Sequence, residues 1–329
     1  MTPFGPGCEV PITMHRRTFL GLAATTLAGA CARPSLGPAH SASPLDVAAF
    51  HASRRFADTA FGRIAYVARG AGPAALFLHG LPLNGFQWRG ALERLSSQRR
   101  CIALDSLGLG YTEARDGQSF APEAQAEMCA ALLDTLGVAA VDLVANDSGG
   151  AIAQIFVARF PTRVRSLLLT NCDVHDDSPP PGLRPLIAAA RAGRFADDDL
   201  APQLADKAIA RARLGGVAYT DPARLADDTI DCYLAPLLSS ARRKAQLHAY
   251  IVALERNPLR ELEPALRRSD VPLRVVWGTG DTIFAPSGPD WLHRTFRRSL
   301  GVRRVPGAKA FFPEEMPDLI ADEARRLWR

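Results

Sequence analysis

No apolar run in these 329 residues reaches the roughly 18 residues that a membrane-spanning helix requires. Long blocks of like charge are also missing. The longest basic run is Arg242-Arg243-Lys244, and the remaining arginines are scattered among acids. A net charge of +5 spread in this way reads as solvated faces and gives no nucleic-acid footprint. Six cysteines are too few for a disulfide scaffold at this length. There is no internal repeat, and no histidine follows His293. What is present is globular composition, 47% apolar and 22% charged, enough for one large domain or two small ones.

The N-terminal segment is of another kind. Residues 14–31 read MHRRTFLGLAATTLAGAC: two arginines, then Phe-Leu, then a mild apolar run and small residues. This order of basic, apolar and small-residue zones marks an export signal, and the R-R-x-F-L phrase resembles a twin-arginine signal. Met14 suits that signal better as a start than Met1, so residues 1–13 read as a mis-called start. Leu27-Ala-Gly-Ala-Cys31 resembles a lipobox with a small residue where a large aliphatic one is usual. Lipidation at Cys31 and plain cleavage after Ala30 both remain open. The Pro/Ser/Ala/Gly-rich stretch that follows makes 32–53 a flexible tether. The expected destination is the periplasm or cell envelope, with the export machinery as a partner and membrane contact only through the signal or a lipid.

From residue 54 the chain alternates between strand and helix patterns. Residues 56–70 read as a hairpin, and the continuous apolar runs 74–80, 101–105, 141–145 and 164–171 as buried strands. Helical periodicity covers 86–97, 120–137 and 149–161, the last two stopped by Gly137 and Pro161. Cys101, Cys129 and Cys172 fall within these patterns as small buried hydrophobes. The alternation then ceases, and 176–265 shows helical stretches only. A strand over 271–281, a helix at WLHRTFRRSL, a short strand at VRRVP and a closing helix complete the chain. This implies a doubly wound, mainly parallel α/β sheet. The helical insertion would form a cap over the carboxyl edge, where ligands of such sheets bind.

The most informative stretch is VDLVANDSGGAIAQ, 141–154: strand, sharp turn, helix. A nucleophile at such a turn needs small residues two before and two after it, because the chain passes too close for side chains there. With Asp147 at the turn these positions are Ala145 and Gly149; with Ser148 the first would be Asn146, which is not small. Asp147 is therefore the elbow residue, and Ser148 would present its backbone N–H.

Taken together with HGLP (79–82), DSLGLGYTE (105–113) and VVWGTGD (275–281), the elbow resembles the α/β-hydrolase family over nearly all of 54–329. The resemblance implies an oxyanion site formed by the N–H groups of Leu81 and Ser148, and an acid at Asp281. An Asp elbow is similar to that of haloalkane dehalogenases and epoxide hydrolases. In that chemistry a carboxylate attacks saturated carbon and forms an ester, which an activated water then hydrolyses at the enzyme's own carbonyl carbon.

One element departs from the family. Its histidine follows the last strand in a phrase such as G-A-G-H-F-P, and here the phrase is GAKAFFPEEMP, with Ala310 at the histidine position. Without a base an ester at Asp147 should persist. His175, just past the sixth strand, is the best surrogate, with Asp173 as its orienting acid. Lys309 would serve only if burial lowered its pKa strongly. The halide-holding Trp that follows the nucleophile in dehalogenases is Ser148 here, and Leu81 offers no side-chain N–H. Tyr219, Tyr233 and Tyr250 lie in the cap region, where epoxide hydrolases carry ring-protonating tyrosines. His79, Phe86, Trp88, Tyr219, Tyr233, Phe284 and Phe311 are expected to line the substrate site.

These observations lead to an exported hydrolase acting on a small, largely apolar molecule, with no cofactor, metal or nucleic acid implied. Two rivals stay open. One is a non-catalytic protein on the same fold that binds a hydrophobic ligand or a partner; the other is different chemistry with Asp147 as base or electrostatic anchor.

Overall fold

A computed structural model describes residues 45–329. The twin-arginine segment, Cys31 and the tether up to Pro44 lie outside the described residues. The tether expected to reach residue 53 ends sooner. Val47–Ala52 is a helix, capped by the Asp46 carboxylate accepting from the Ala49 N–H, and it buries Phe50 at 1% exposure. Phe50 meets the Phe86 ring edge-on, with centroids 5.2 Å apart, so apolar burial overrides the tether-like composition.

Nine strands form one sheet: β1 (Arg54–Thr59), β2 (Gly62–Arg69), β3 (Ala74–Leu78), β4 (Arg100–Leu104), β5 (Glu113–Ala114), β6 (Val141–Asp147), β7 (Val164–Cys172), β8 (Leu273–Gly278) and β9 (Ser299–Val305). Their order is β1-β2-β4-β3-β6-β7-β8-β9, with β5 attached to β2. The pairs from β4 through β9 are parallel, and those involving β2 are antiparallel. The mainly parallel α/β sheet expected from the alternation is what forms.

Every residue of β3 and of β6 is buried, which is why these strands read as continuous apolar runs rather than alternating ones. Leu76, Phe77 and Leu78 are each 0% exposed, and burying a side chain of that size contributes about 1.5–3 kcal/mol. Helices Pro122–Thr135 and Ser148–Arg159 pack on each other, as do Arg89–Leu95 and Pro317–Leu327, so both faces of the central strands are covered. The four cysteines of the described residues, at 101, 129, 172 and 232, are buried and free.

Two boundaries differ from the sequence pattern. The helix expected over 291–300 is Gly288–Thr295, because Phe296 turns into the core at 2% exposure and β9 already begins at Ser299. The loop 105–113 donates its last residue to β5, which pairs antiparallel with the start of β2.

The topology fixes where a site can form. From β3 the chain winds one way to β4, and from β6 the other way to β9. The strand order reverses between β3 and β6, so the loops after these two strands open a crevice at their carboxyl ends. Among the described residues no strand interrupts the chain between Cys172 and Leu273. That stretch runs through helices including Arg184–Arg191, Asp227–Leu238, Ala241–Ala253 and Leu259–Arg268.

Candidate active site

β6 runs without a spacer into the helix Ser148–Arg159, and the joint is Asp147 at φ 54°, ψ −133°. Backbone held in such a sparsely populated region costs roughly 1–3 kcal/mol and persists only where the surroundings enforce it. Here the surroundings are close. A Cβ on Gly149 would lie 2.6 Å from the Leu78 carbonyl oxygen, and one on Gly80 would lie 2.6 Å from the Asp147 Cβ. The turn is possible only because both positions lack side chains.

The carboxylate at this turn is gripped by backbone. The Leu81 N–H donates to Asp147 Oδ1 at 2.9 Å and the Ser148 N–H to the same oxygen at 2.6 Å. Gln87 ties the two loops together: its Oε1 accepts from the Gly80 N–H at 3.1 Å, and its Nε2 donates to Asn146 Oδ1 at 2.7 Å. Asn146 Nδ2 in turn reaches Thr170 Oγ1, the Asn171 carbonyl and the Ala310 carbonyl. The Tyr250 hydroxyl donates to Ser148 Oγ at 2.9 Å, and the Ser148 hydroxyl supports the Asp147 carboxylate. Burial pushes Asp147 up to about 6, against the pull of the Ser148 and Leu81 N–H groups, and the charge of Asp281 adds to the rise. Tyr250 is raised by burial too.

Asp281 sits in the turn after β8. Its Oδ2 accepts from Asn171 Nδ2 at 2.7 Å and its Oδ1 from the Ile283 N–H at 2.8 Å. Burial raises its pKa, opposed by the hydrogen bonds of the turn and of Asn171. Asp173 follows the last residue of β7 and is 6% exposed. Burial first, and the Asp147 charge second, push it up to about 7.

A cavity of about 540 Å³ lies over the elbow, within the usual range for small-molecule sites. Its walls include Leu81, Asp147, Ser148, Asp173, Leu183, Leu186, Phe195, Leu214, Leu254, Ile283, Phe284 and Phe311. It is apolar at the walls and carboxylate-bearing at the floor. A larger cleft of about 910 Å³ runs past Arg63, Arg115, Arg242 and Arg243, and its walls include no residue of the elbow.

Of the residues expected to line the site, Leu81, Ser148, Phe284 and Phe311 do so. The others do not. His79 is fully buried beneath the loop, its Nδ1 bonded to the Gly80 carbonyl and its Nε2 accepting from the Ser106 N–H. Burial lowers its pKa, so it is a neutral brace. Phe86 and Trp88 lie on a 3-10 turn, Gly85–Trp88, that points both rings into the core. Phe86 packs against Phe50 and Tyr233, and Trp88 against Phe77. Tyr219 meets Phe311 edge-on and donates its hydroxyl to Glu314 at 2.7 Å. Tyr233 is 0% exposed. Of the three cap tyrosines, only Tyr250 reaches the elbow.

His175 is also placed elsewhere. Its backbone turns at φ 46°, its ring stacks on Trp291 at 4.6 Å, and Nε2 lies 3.0 Å from Glu263. None of the five histidines among the described residues lines the cavity. His248 accepts from the Ala196 N–H, and His293 bonds Ser299. Lys309 gives its ammonium to the Gly216 carbonyl. Ala310 is buried at 0% exposure.

The sequence profile of the α/β-hydrolase fold family matches residues 73–315. The chain belongs to that family. It is 28% identical over 273 residues to haloalkane dehalogenase 2 of Mycobacterium tuberculosis, covering 81% of this chain and 92% of that one. It is 39% identical over 103 residues to 2-hydroxy-6-oxo-2,4-heptadienoate hydrolase of Pseudomonas putida, a match that takes in 30% of this chain and only 37% of that protein. Among solved structures it resembles an alpha/beta hydrolase fold protein from Burkholderia ambifaria, with TM-score 0.69, 25% identity, and 84% and 97% of the two chains covered.

Proposed function

We propose that this α/β-hydrolase attacks a small, largely apolar electrophile with the Asp147 carboxylate and passes through an ester at that residue. One observation carries the reading: both amides at the head of the crevice converge on a single oxygen of Asp147 itself. A serine elbow would leave those N–H groups for the substrate's oxygen. Bound to Oδ1, they polarise the aspartate's own carbonyl, which is where water must add once Oδ2 has been alkylated. The likeness to a haloalkane dehalogenase over 81% of the chain supports chemistry at saturated carbon. With leucine at 81 and serine at 148, no side-chain N–H is supplied for a departing halide. A leaving oxygen that takes up a proton, as in a strained cyclic ether, fits the site better.

Incubation with 1,2-epoxyhexane, 1-bromohexane and an activated ester tests this by product formation and intact mass. Product, or an adduct on the Asp147 peptide, is expected in the wild type and neither in Asp147→Asn. Turnover unaffected by Asp147→Asn would sink it.

The buried Ala310 at the family's histidine position favours one rival, a capped apolar pocket that binds a hydrophobic ligand without turnover. Its mark would be tight ligand binding, with no adduct and no product, left intact by Asp147→Asn. We also propose that the R-R-x-F-L segment directs export. Cell fractionation should find the wild type in the envelope or periplasm and the Arg16→Lys, Arg17→Lys variant retained in the cytoplasm; equal distribution would reject this.

A further inference from the structure

We propose that Asp173 is the second catalytic carboxyl of this site, giving a proton to the leaving oxygen and then acting as general base in hydrolysis of the Asp147 ester. This rests on the Asp147 reading above. Hydrolysis at a neutral carbonyl needs a group that takes a proton from water, and the histidine that would do so is replaced by Ala310. Among the described residues, the titratable side chains on the cavity wall are Asp147, Asp173, Asp199 and Arg213. Asp199 and Arg213 are paired with each other at 2.5 Å. That leaves Asp173.

Its placement suits the task. In the parallel ladder the Asp147 Cα pairs with Cys172, and Asp173 is the next residue. The two carboxyls thus leave neighbouring strands, which lie about 4.8 Å apart, and enter the same cavity. The backbone at Asp173 is fixed, since Gln154 Nε2 donates to its carbonyl at 2.8 Å. The groups that act on the carboxyl are Asp147, the Ser178 hydroxyl, Cys172 and Tyr250, and Asp199 and Arg213 share the cavity. Burial and the Asp147 charge hold Asp173 up to about 7, so near neutrality the pair retains one proton for much of the time. Alkylation of Asp147 removes its charge and thereby makes Asp173 a stronger acid, ready to ionise.

The proton balance closes. Asp147 Oδ2 attacks a ring carbon of the epoxide, the C–O bond breaks, and the oxygen takes the proton of Asp173. Ionised Asp173 then removes a proton from water, whose hydroxide adds to the Asp147 carbonyl carbon. The resulting oxyanion lies against the Leu81 and Ser148 N–H groups. Collapse expels the alkoxide, which takes the proton back from Asp173 and leaves as the diol. Asp147 is left protonated and Asp173 ionised; one proton transfer between them restores the start. The sum is epoxide plus water to diol.

The two halves of the role separate with two probes, because bromide leaves without a proton and an epoxide oxygen does not. With 1-bromohexane the wild type should give hexanol without a lasting adduct. Asp173→Asn should hold a hexyl group on the Asp147 peptide, decaying at least about 100-fold more slowly, as loss of a general base predicts. With 1,2-epoxyhexane, Asp173→Asn should be slow already in ring opening. Formate added to Asp173→Ala should speed decay of the hexyl adduct, which separates a missing carboxylate from a distorted loop. A lasting adduct in the wild type, wild-type decay in Asp173→Asn, or slow decay in both variants that formate leaves unchanged would each overturn the role of Asp173 while leaving the Asp147 reading intact. Neither adduct nor product from the wild type with either probe would overturn the Asp147 reading, and this inference with it.

Discussion

The elbow after β6 and the loop after β9 border the same cavity, yet they have been kept for different reasons. At the elbow each small residue, each amide and the unusual φ of Asp147 serve the placement of one carboxylate. In the loop after β9 the contacts are mostly backbone. The Ala310 carbonyl accepts from Asn146, the Phe311 N–H donates to the Ala218 carbonyl, and the Lys309 N–H donates to Thr220 Oγ1. Such a loop holds its course whatever side chain stands at 310. It can lose a histidine and keep its architecture, whereas the elbow could not lose Gly149.

Gly149→Ala should break the comparison most severely. Its Cβ would press on two carbonyl oxygens, those of Leu78 and His79, at 2.6 and 2.7 Å. Backbone cannot yield there without moving β3 or the elbow. We expect a loss of at least about 3 kcal/mol in stability, with adduct formation at Asp147 lost as well. Thermal unfolding and intact-mass labelling measure the two. A stable, normally labelled variant would mean that the elbow tolerates slack and is not the tight turn described.

Asp173→Asn is expected to act next most strongly, and in the opposite direction on stability. The folded-state pKa of Asp173, about 7, lies above the ordinary aspartate value of 3.8, so folding favours the protonated form. Wild-type stability therefore falls as pH rises from about 4, and the loss is complete above about 7. Removing the ionisation should stabilise the protein at pH 8 by about 2–4 kcal/mol, at about 1.4 kcal/mol per pH unit of displacement. The gain should vanish near pH 4. Denaturant melts at the two pH values decide it; a gain independent of pH would show that the carboxyl carries no burial penalty.

How far the sequence alone reached follows the same division. The alternation of buried runs and helices yielded the sheet, and spacing around Asp147 yielded the elbow, because both rest on local patterns with a geometric cause. The aromatic lining was not legible. Phe86 and Trp88 follow the oxyanion loop directly, but a 3-10 turn points them inward. Tyr250 reaches Ser148 only because the cap helix Ala241–Ala253 folds over the elbow, and no local pattern distinguishes it from Tyr219 or Tyr233. Asn146 and Gln87 carried no signal either, since their roles exist only where the two loops meet.

Ala310→His sharpens the comparison at smaller cost. Ala310 has no exposed surface, so an imidazole would have to displace packed neighbours, at about 1–3 kcal/mol. We expect a lowered melting temperature and no faster decay of the Asp147 adduct in the Asp173→Asn background. Restored decay would mean that room for the family's histidine persists beside Asp281, and that its loss was a loss of the side chain alone.

The smallest effect is expected from His175→Ala, two residues beyond Asp173. Sequence position makes these two residues near equals as surrogates for the missing base. Structure separates them. Asp173 leaves the strand end into the cavity, while the chain turns at His175 and lays the imidazole on Trp291, with Nε2 3.0 Å from Glu263. Removing the ring costs an ion pair with a partly exposed carboxylate and one stacking contact, together about 1 kcal/mol or less. Turnover of 1,2-epoxyhexane should change less than about twofold, the kinetic effect of a fraction of a kcal/mol. A hundredfold loss would place the base at His175 after all. It would require the 175–177 turn to swing inward during catalysis, and Asp173 would then be the carboxylate that orients it.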